Sequence, residues 1–165
     1  MANEKYYKQL DKVDYWIANA DTKASFILAF AGVLGGFLLN EKANVQKDEF
    51  EIIALLQSSY ILFILTLTSL IVTVIFSLLV LSARTHGDKQ TLFFWGDVSK
   101  YSHWSYFQRA KHREDNDSLE EDLIYQIYIN SKICTIKFKR YRISLRFLLI
   151  SLVLFTIYKI VTIIS

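Results

Sequence analysis

A chain of 165 residues that is 53% hydrophobic lies above the roughly 45–50% apolar share of soluble domains, and a membrane class is favoured from the outset. Proline is absent where average usage of about 5% would supply roughly eight, so long unbroken helices are permitted nearly everywhere. A net charge of +3 alone says little about partners, among which no nucleic-acid polymer is expected, and the single cysteine, Cys134, excludes an intramolecular disulfide. No CxxC or Cys/His cluster surrounds Cys134, which reads as a small packing residue on a helix.

Residues 1–23 place Leu10, Val13, Trp16, Ile17, Ala20 and then Ala24 at helical spacing. This predicts an amphipathic helix running straight into a first membrane span at 24–39, lengthened by the apolar "WIANA" just before it. Four lysines and four acids precede that run and no A-x-A site follows, so a cleaved signal peptide is not expected. Residues 52–83 are uncharged throughout and exceed the ~20 needed to cross a hydrocarbon core, closing a transmembrane hairpin over 24–83. The segment 84–117, with Gly87, Gly96 and the aromatic-rich "FFWGDVSKYSHWSYF", reads as irregular structure lying across the bundle or at the membrane surface.

Ser118 followed by Glu121 forms a capping box before the apolar series Leu119, Leu123, Ile127, Cys134, Phe138 and Tyr141. A helix is therefore expected from 118, extending about 40 Å at ~1.5 Å per residue before it becomes a third span at 145–165. Arg146 and Lys159 lie near the ends of that span, where long side chains snorkel to the headgroups. The fold class is thus all-α: a multi-pass membrane protein with three transmembrane helices, an N-terminal amphipathic helix, and a cytosolic segment 84–144 whose long helix is continuous with the third span.

Twelve Lys and Arg fall between 84 and 146, but only two in the 41–51 connection. The positive-inside rule then puts the N-terminus and the middle segment in the cytoplasm and the C-terminus outside, the periplasm in a bacterial inner membrane. Ser25, Ala29, Gly32 and Gly36 line one face of the first span, and Ser59, Thr66, Ser69, Thr73 and Ser77 form a hydroxyl stripe along the second. Such faces serve either ordinary packing within the three-helix unit or self-association into a homo-oligomer. No acid or base sits in the middle of a span, which argues against a constitutive transporter.

Lys132, Lys137, Lys139, Arg140, Arg142 and Arg146 form a basic run without an acid. It is either a juxtamembrane anchor for anionic lipid or a phosphate site, in which Asn130, Ser131 or aromatic rings would address a base. His86, His103 and His112 lack the spacing of a triad, no P-loop, HExxH or GxGxxG occurs, and "EDNDSLEED" lacks the glycine of a calcium loop. Neither enzymatic activity nor a metal or cofactor is expected.

"ADTKAS" before the first span, "FFWGDV" after the second and "DLIYQIYINSKICTIKFKRYRIS" leading into the third resemble, taken together over nearly the whole chain, the Pycsar transmembrane effector family of bacterial antiphage proteins. The resemblance implies a partner pyrimidine cyclase that makes cyclic CMP or cyclic UMP on infection, and a membrane effector that then impairs the inner membrane. No cyclic-nucleotide-binding β-roll is recognisable here. The expected ligand-binding residues are Asp21, Lys23, Asn130, Ser131, Lys132, Lys137 and Arg140, with Asp21 pairing a basic side chain at rest. The expected oligomer faces are Ser25, Ala29, Gly32 and Gly36, and Thr66, Ser69, Thr73 and Ser77. A passive membrane scaffold or holin-like component, its cytosolic helix docking a protein, is the alternative from another class.

Overall fold

The computed structural model describes residues 2–43, 58–82, 92, 95–113 and 116–164, and all regular structure among them is helical. In chain order the helices are α1 (Ala2–Ala43), α2 (Ser58–Leu81), α3 (Trp95–Val98), α4 (Trp104–Arg113) and α5 (Asn116–Ile164). With no proline to remove an N–H, α1 continues for 42 residues and α5 for 49. Three of the helices, α1, α2 and α5, are long and apolar enough to cross a membrane.

Two features differ from the sequence expectation. The long helix opens at Asn116, so Ser118 lies inside its first turn and not at its cap. The segment after α2 is not irregular throughout, since it carries α3 and the ten-residue α4. The first residues of the expected second span, 52–57, and Gly87 lie outside the described residues.

The chain divides into two compact units, one of Met1–Asn19 with Ala83–Ile136, the other of Ala20–Ser82 with Lys137–Ser165. In the second unit α1 and α2 bury residues at alternating spacings of three and four, and α5 at spacings of seven, four, three and seven. They are Ala20, Ala24, Ile27, Ala31, Leu34 and Leu38 on α1; Phe63, Thr66, Leu70, Thr73, Ser77 and Val80 on α2; and Lys137, Ser144, Leu148, Ser151 and Tyr158 on α5. A 3.5-residue period is the condition for knobs-into-holes packing between nearly parallel helices.

The outward residues of this unit are as apolar as the inward ones: Phe26 is 72% exposed, and Phe30, Val33, Phe37, Leu65, Ile71, Leu149 and Val153 are exposed with it. Water does not tolerate so large an apolar patch, whereas hydrocarbon does. The inward face instead holds hydroxyls. Ser69 Oγ donates to the Phe147 carbonyl at 2.8 Å, and Ser144 Oγ donates to the Thr73 carbonyl at 3.0 Å. Because Ser144 has one proton and spends it there, Ser77 is the donor of the 2.7 Å Ser77–Ser144 bond. Small residues on α5 thus let the α2 backbone come close, as in membrane bundles generally.

In the first unit α5 continues its inward register with buried Leu123 and Ile127. Polar bonds tie it to α1: Tyr6 Oη donates to Glu120 Oε1 at 3.0 Å, and Asn130 Nδ2 donates to Asp14 Oδ1 at 2.7 Å.

Candidate functional site

A helix leaves its last four carbonyls without intrahelical donors, and α2 ends with no glycine or proline to turn the chain back over them. The Ser82 N–H takes the Leu78 carbonyl at 3.0 Å. The next two carbonyls are taken by α5: Arg140 Nη1 donates to Leu79 O at 2.7 Å, and Lys137 Nζ donates to Val80 O at 3.0 Å. Two cations at a helix C-terminus also meet the negative end of its dipole.

Lys137 is carried deep into the unit to do this, its side chain only 5% exposed, so its charge needs a partner inside the protein. Asp21, on α1 and 36% exposed, supplies it: Lys137 Nζ pairs directly with Asp21 Oδ1. The pairing expected for Asp21 therefore exists, and Lys137 is the base. Lys23, half a turn along α1, lies 5.8 Å from the Phe138 ring centroid and 5.9 Å from that of Tyr141, rings that stand edge to face. The same two rings pack on Ala20, Ala24 and Val80. One cluster within the second unit thus unites an acid, three cations, two aromatic rings and a helix C-terminus.

The structure assembles four of the expected ligand residues here, namely Asp21, Lys23, Lys137 and Arg140. Asn130, Ser131 and Lys132 belong to the other unit. There Asn130 is engaged by Asp14, Ser131 Oγ donates to the Ile127 carbonyl at 2.6 Å, and Lys132 Nζ lies 4.4 Å from the Tyr128 ring centroid. The carboxyl of Asp14 is raised above its usual range, first by loss of water around it and then by Asp11, while the Asn130 hydrogen bond opposes the shift. The Tyr6 phenol is likewise raised, because Glu120 accepts its proton in a hydrogen bond and repels the phenolate.

The second-span stripe of Thr66, Ser69, Thr73 and Ser77 is buried within the chain's own unit, so its hydroxyls serve intrachain contacts and not a face between copies. Ser25, Ala29, Gly32 and Gly36 lie exposed on α1, and a side chain built at Gly32 or Gly36 meets nothing within 4 Å.

Sequence reading did not find the Leu79 and Val80 carbonyls as acceptors, or Phe138 and Tyr141 as ring partners of Lys23. A signal for the first was present. Residues 123, 130, 137, 144, 151 and 158 recur every seventh position, and this seam carries Asn130 and Lys137 among otherwise apolar or small residues. Polar groups at such positions fix register. Lys139, Arg142 and Arg146 fall off the seam and are exposed.

The family model for the Pycsar effector protein domain matches residues 5–163. The Pycsar effector protein GmPycTM of Gulbenkiania mobilis is 31% identical over 176 residues, an alignment covering 93% of this chain and 89% of the relative. No solved structure matches.

Proposed function

The chain belongs to the Pycsar effector family of antiphage defence, and from that premise we propose that it is a membrane effector gated by a cyclic pyrimidine nucleotide, cyclic CMP or cyclic UMP, made by a partner cyclase. On activation it impairs the inner membrane, and the infected cell dies before phage matures. The N-terminus and residues 84–144 lie in the cytoplasm and the C-terminus in the periplasm, a topology supported by the twelve basic residues between 84 and 146.

The observation that carries the reading is the buried Lys137, held by Asp21 and by the carbonyl end of α2. A phosphodiester has the charge of a carboxylate and accepts the same hydrogen bonds, so it can replace Asp21 at Lys137 or Leu79 O at Arg140 without stranding either cation. Either exchange takes a donor from the α2 terminus or frees α1 from α5. The ligand shifts the population by the difference in its affinity for the two arrangements, about 10⁴-fold if a resting 1:99 mixture is to become 99:1. Copies in the released arrangement associate through the exposed Ser25, Ala29, Gly32 and Gly36 face of α1 into a leaky homo-oligomer.

The test is dye release from liposomes carrying the purified chain, with and without cyclic CMP or cyclic UMP. Release that requires one of the nucleotides supports the reading. Constitutive release favours a holin-like component instead, and no release under any condition favours a passive scaffold.

A further inference from the structure

Helix α4 has no buried residue, although it belongs to a compact unit. At 100° per residue its positions divide into two arcs, Trp104, Tyr106, Phe107 and Ala110 on one, and Gln108, Ser105, His112, Arg109 and Arg113 on the other, with Lys111 inside the apolar arc between Phe107 and Trp104. The apolar arc is not used up within the chain: Trp104 is 69% exposed and Tyr106 53%. Phe107 clusters with Tyr101 at 5.7 Å and with Trp104 at 6.0 Å, while the Arg109 guanidinium lies 4.8 Å from the Tyr106 ring centroid. From 104 to 113 the chain carries Arg109, Lys111 and Arg113 and no acid, while Lys100 is paired with Asp97 at 2.7 Å.

A polar face carrying two arginines opposite Trp, Tyr and Phe, on a helix of low net hydrophobicity whose one lysine can snorkel from the apolar side, is what lies flat in a headgroup layer. Isolated ten-residue helices are marginal in water, so such a face gains stability from whatever covers it. Charge selects the covering surface: α4 against α4 of a second copy would set like charge on like charge, whereas anionic headgroups attract it. The acids Asp117, Glu120 and Glu121 that open α5 are repelled by the same headgroups, leaving α4 as the contacting part. Tethering favours the contact further, because α2 ends at Leu81 and α5 begins at Asn116, and both helices are long and apolar enough to cross the bilayer.

We infer that α4 is an interfacial helix that docks on anionic phospholipid, with Trp104, Tyr106 and Phe107 entering the headgroup boundary and Arg109, Lys111 and Arg113 meeting phosphates. The inference does not depend on nucleotide gating. It is tested with the full chain in vesicles whose acyl chains are brominated, in a Trp16→Phe, Trp95→Phe background that leaves Trp104 as the fluorophore.

Trp104 quenching by the brominated chains should be strong in phosphatidylglycerol vesicles and weak in phosphatidylcholine, with protection from aqueous acrylamide in the first. Arg109→Gln and Arg113→Gln should each lower the lipid-bound fraction's equilibrium roughly five-fold. A nitroxide on Tyr106→Cys, in a Cys134→Ser background with all three tryptophans present, should report the same depth if the Phe substitutions disturb the fold. Equal quenching in both lipids removes the anionic selectivity and overturns the inference. Quenching by acrylamide alone shows the helix in water, and protection from both quenchers shows it covered by protein; either result overturns it.

Discussion

Lys137 and Asp21 share an ion pair but not an environment, and the difference predicts unequal costs for losing each partner. Exposed pairs contribute about 0–1 kcal/mol, and removing one partner of a fully buried pair costs ~3–5 kcal/mol. Here the lysine is buried and the carboxylate is about one-third exposed, so Asp21→Asn, which strands the buried cation, should cost about 2 kcal/mol. Lys137→Met leaves a carboxylate that water still reaches and should cost less, the remaining loss coming from the uncovered Val80 carbonyl. The Asp21→Asn, Lys137→Met double variant should recover part of the Asp21→Asn loss while giving no nucleotide-dependent dye release. Thermal unfolding in detergent micelles, followed by circular dichroism, reads the order of the three. If Lys137→Met proves the most damaging, the capping bond and not the pair holds this corner. At this scale the sequence showed which charges are present, and "ADTKAS" before a basic run suggested a pair. Which of six cations meets Asp21 depends on the rotation of α5 about its axis, which the seven-residue recurrence of Leu123, Lys137, Ser144 and Tyr158 encodes and a count of basic residues does not.

Among the elements, the seam between α2 and α5 makes the sharpest demand on side-chain size. Ser144 touches the Ser77 hydroxyl and the Thr73 carbonyl, so the two backbones approach to within the reach of a hydroxymethyl group. Ser144→Ala removes two interhelical hydrogen bonds and should cost about 1 kcal/mol, at a mean of roughly 0.6 for each such bond in a membrane bundle. Ser144→Leu keeps α5 as good a helix but forces the backbones apart, and should cost ~1–3 kcal/mol from overpacking. Ser151, which is buried on the same seam but donates to Leu148 within its own helix, should tolerate alanine better than Ser144 does. Micelle unfolding temperatures of the three variants check the order, and equal shifts for Ser144→Ala and Ser144→Leu would show that the close approach does not matter. The helices themselves were legible because their causes are local: no proline, long apolar runs, and a polar-to-apolar change along α5. Helix α4 was not, because ten residues rich in aromatics and flanked in sequence by His103 and Glu114 carry no sustained period, and its helical order belongs to an amphipathic face that shows only once the backbone is coiled. The capping box at Ser118 misplaced the start of α5 by two residues, since the asparagine at 116 already enters the helix.

For the whole molecule, the division between inward and outward residues of the membrane-crossing unit separates two roles that one sequence stripe cannot. The hydroxyl stripe of α2 is consumed inside the chain, whereas Gly32 and Gly36 stand on the outward side of α1, where a Cβ meets nothing. A glycine in a helix interior costs about 0.5–1 kcal/mol relative to alanine, and among the described residues nothing packs against either position to offset that cost. The proposed association of copies would use this face, because small residues let two helix backbones approach closely. Gly32→Leu and Gly36→Leu should therefore leave the unfolding temperature of the dilute chain unchanged or slightly raised. They should cut nucleotide-dependent dye release roughly ten-fold for each ~1.4 kcal/mol of association lost. Phe37→Leu, an outward change of similar size that removes no close approach, should leave both measurements as they were. If both glycine variants insert, fold and release dye as well as the unaltered chain, copies do not meet through this face, and the leak must form by some other contact between the helices.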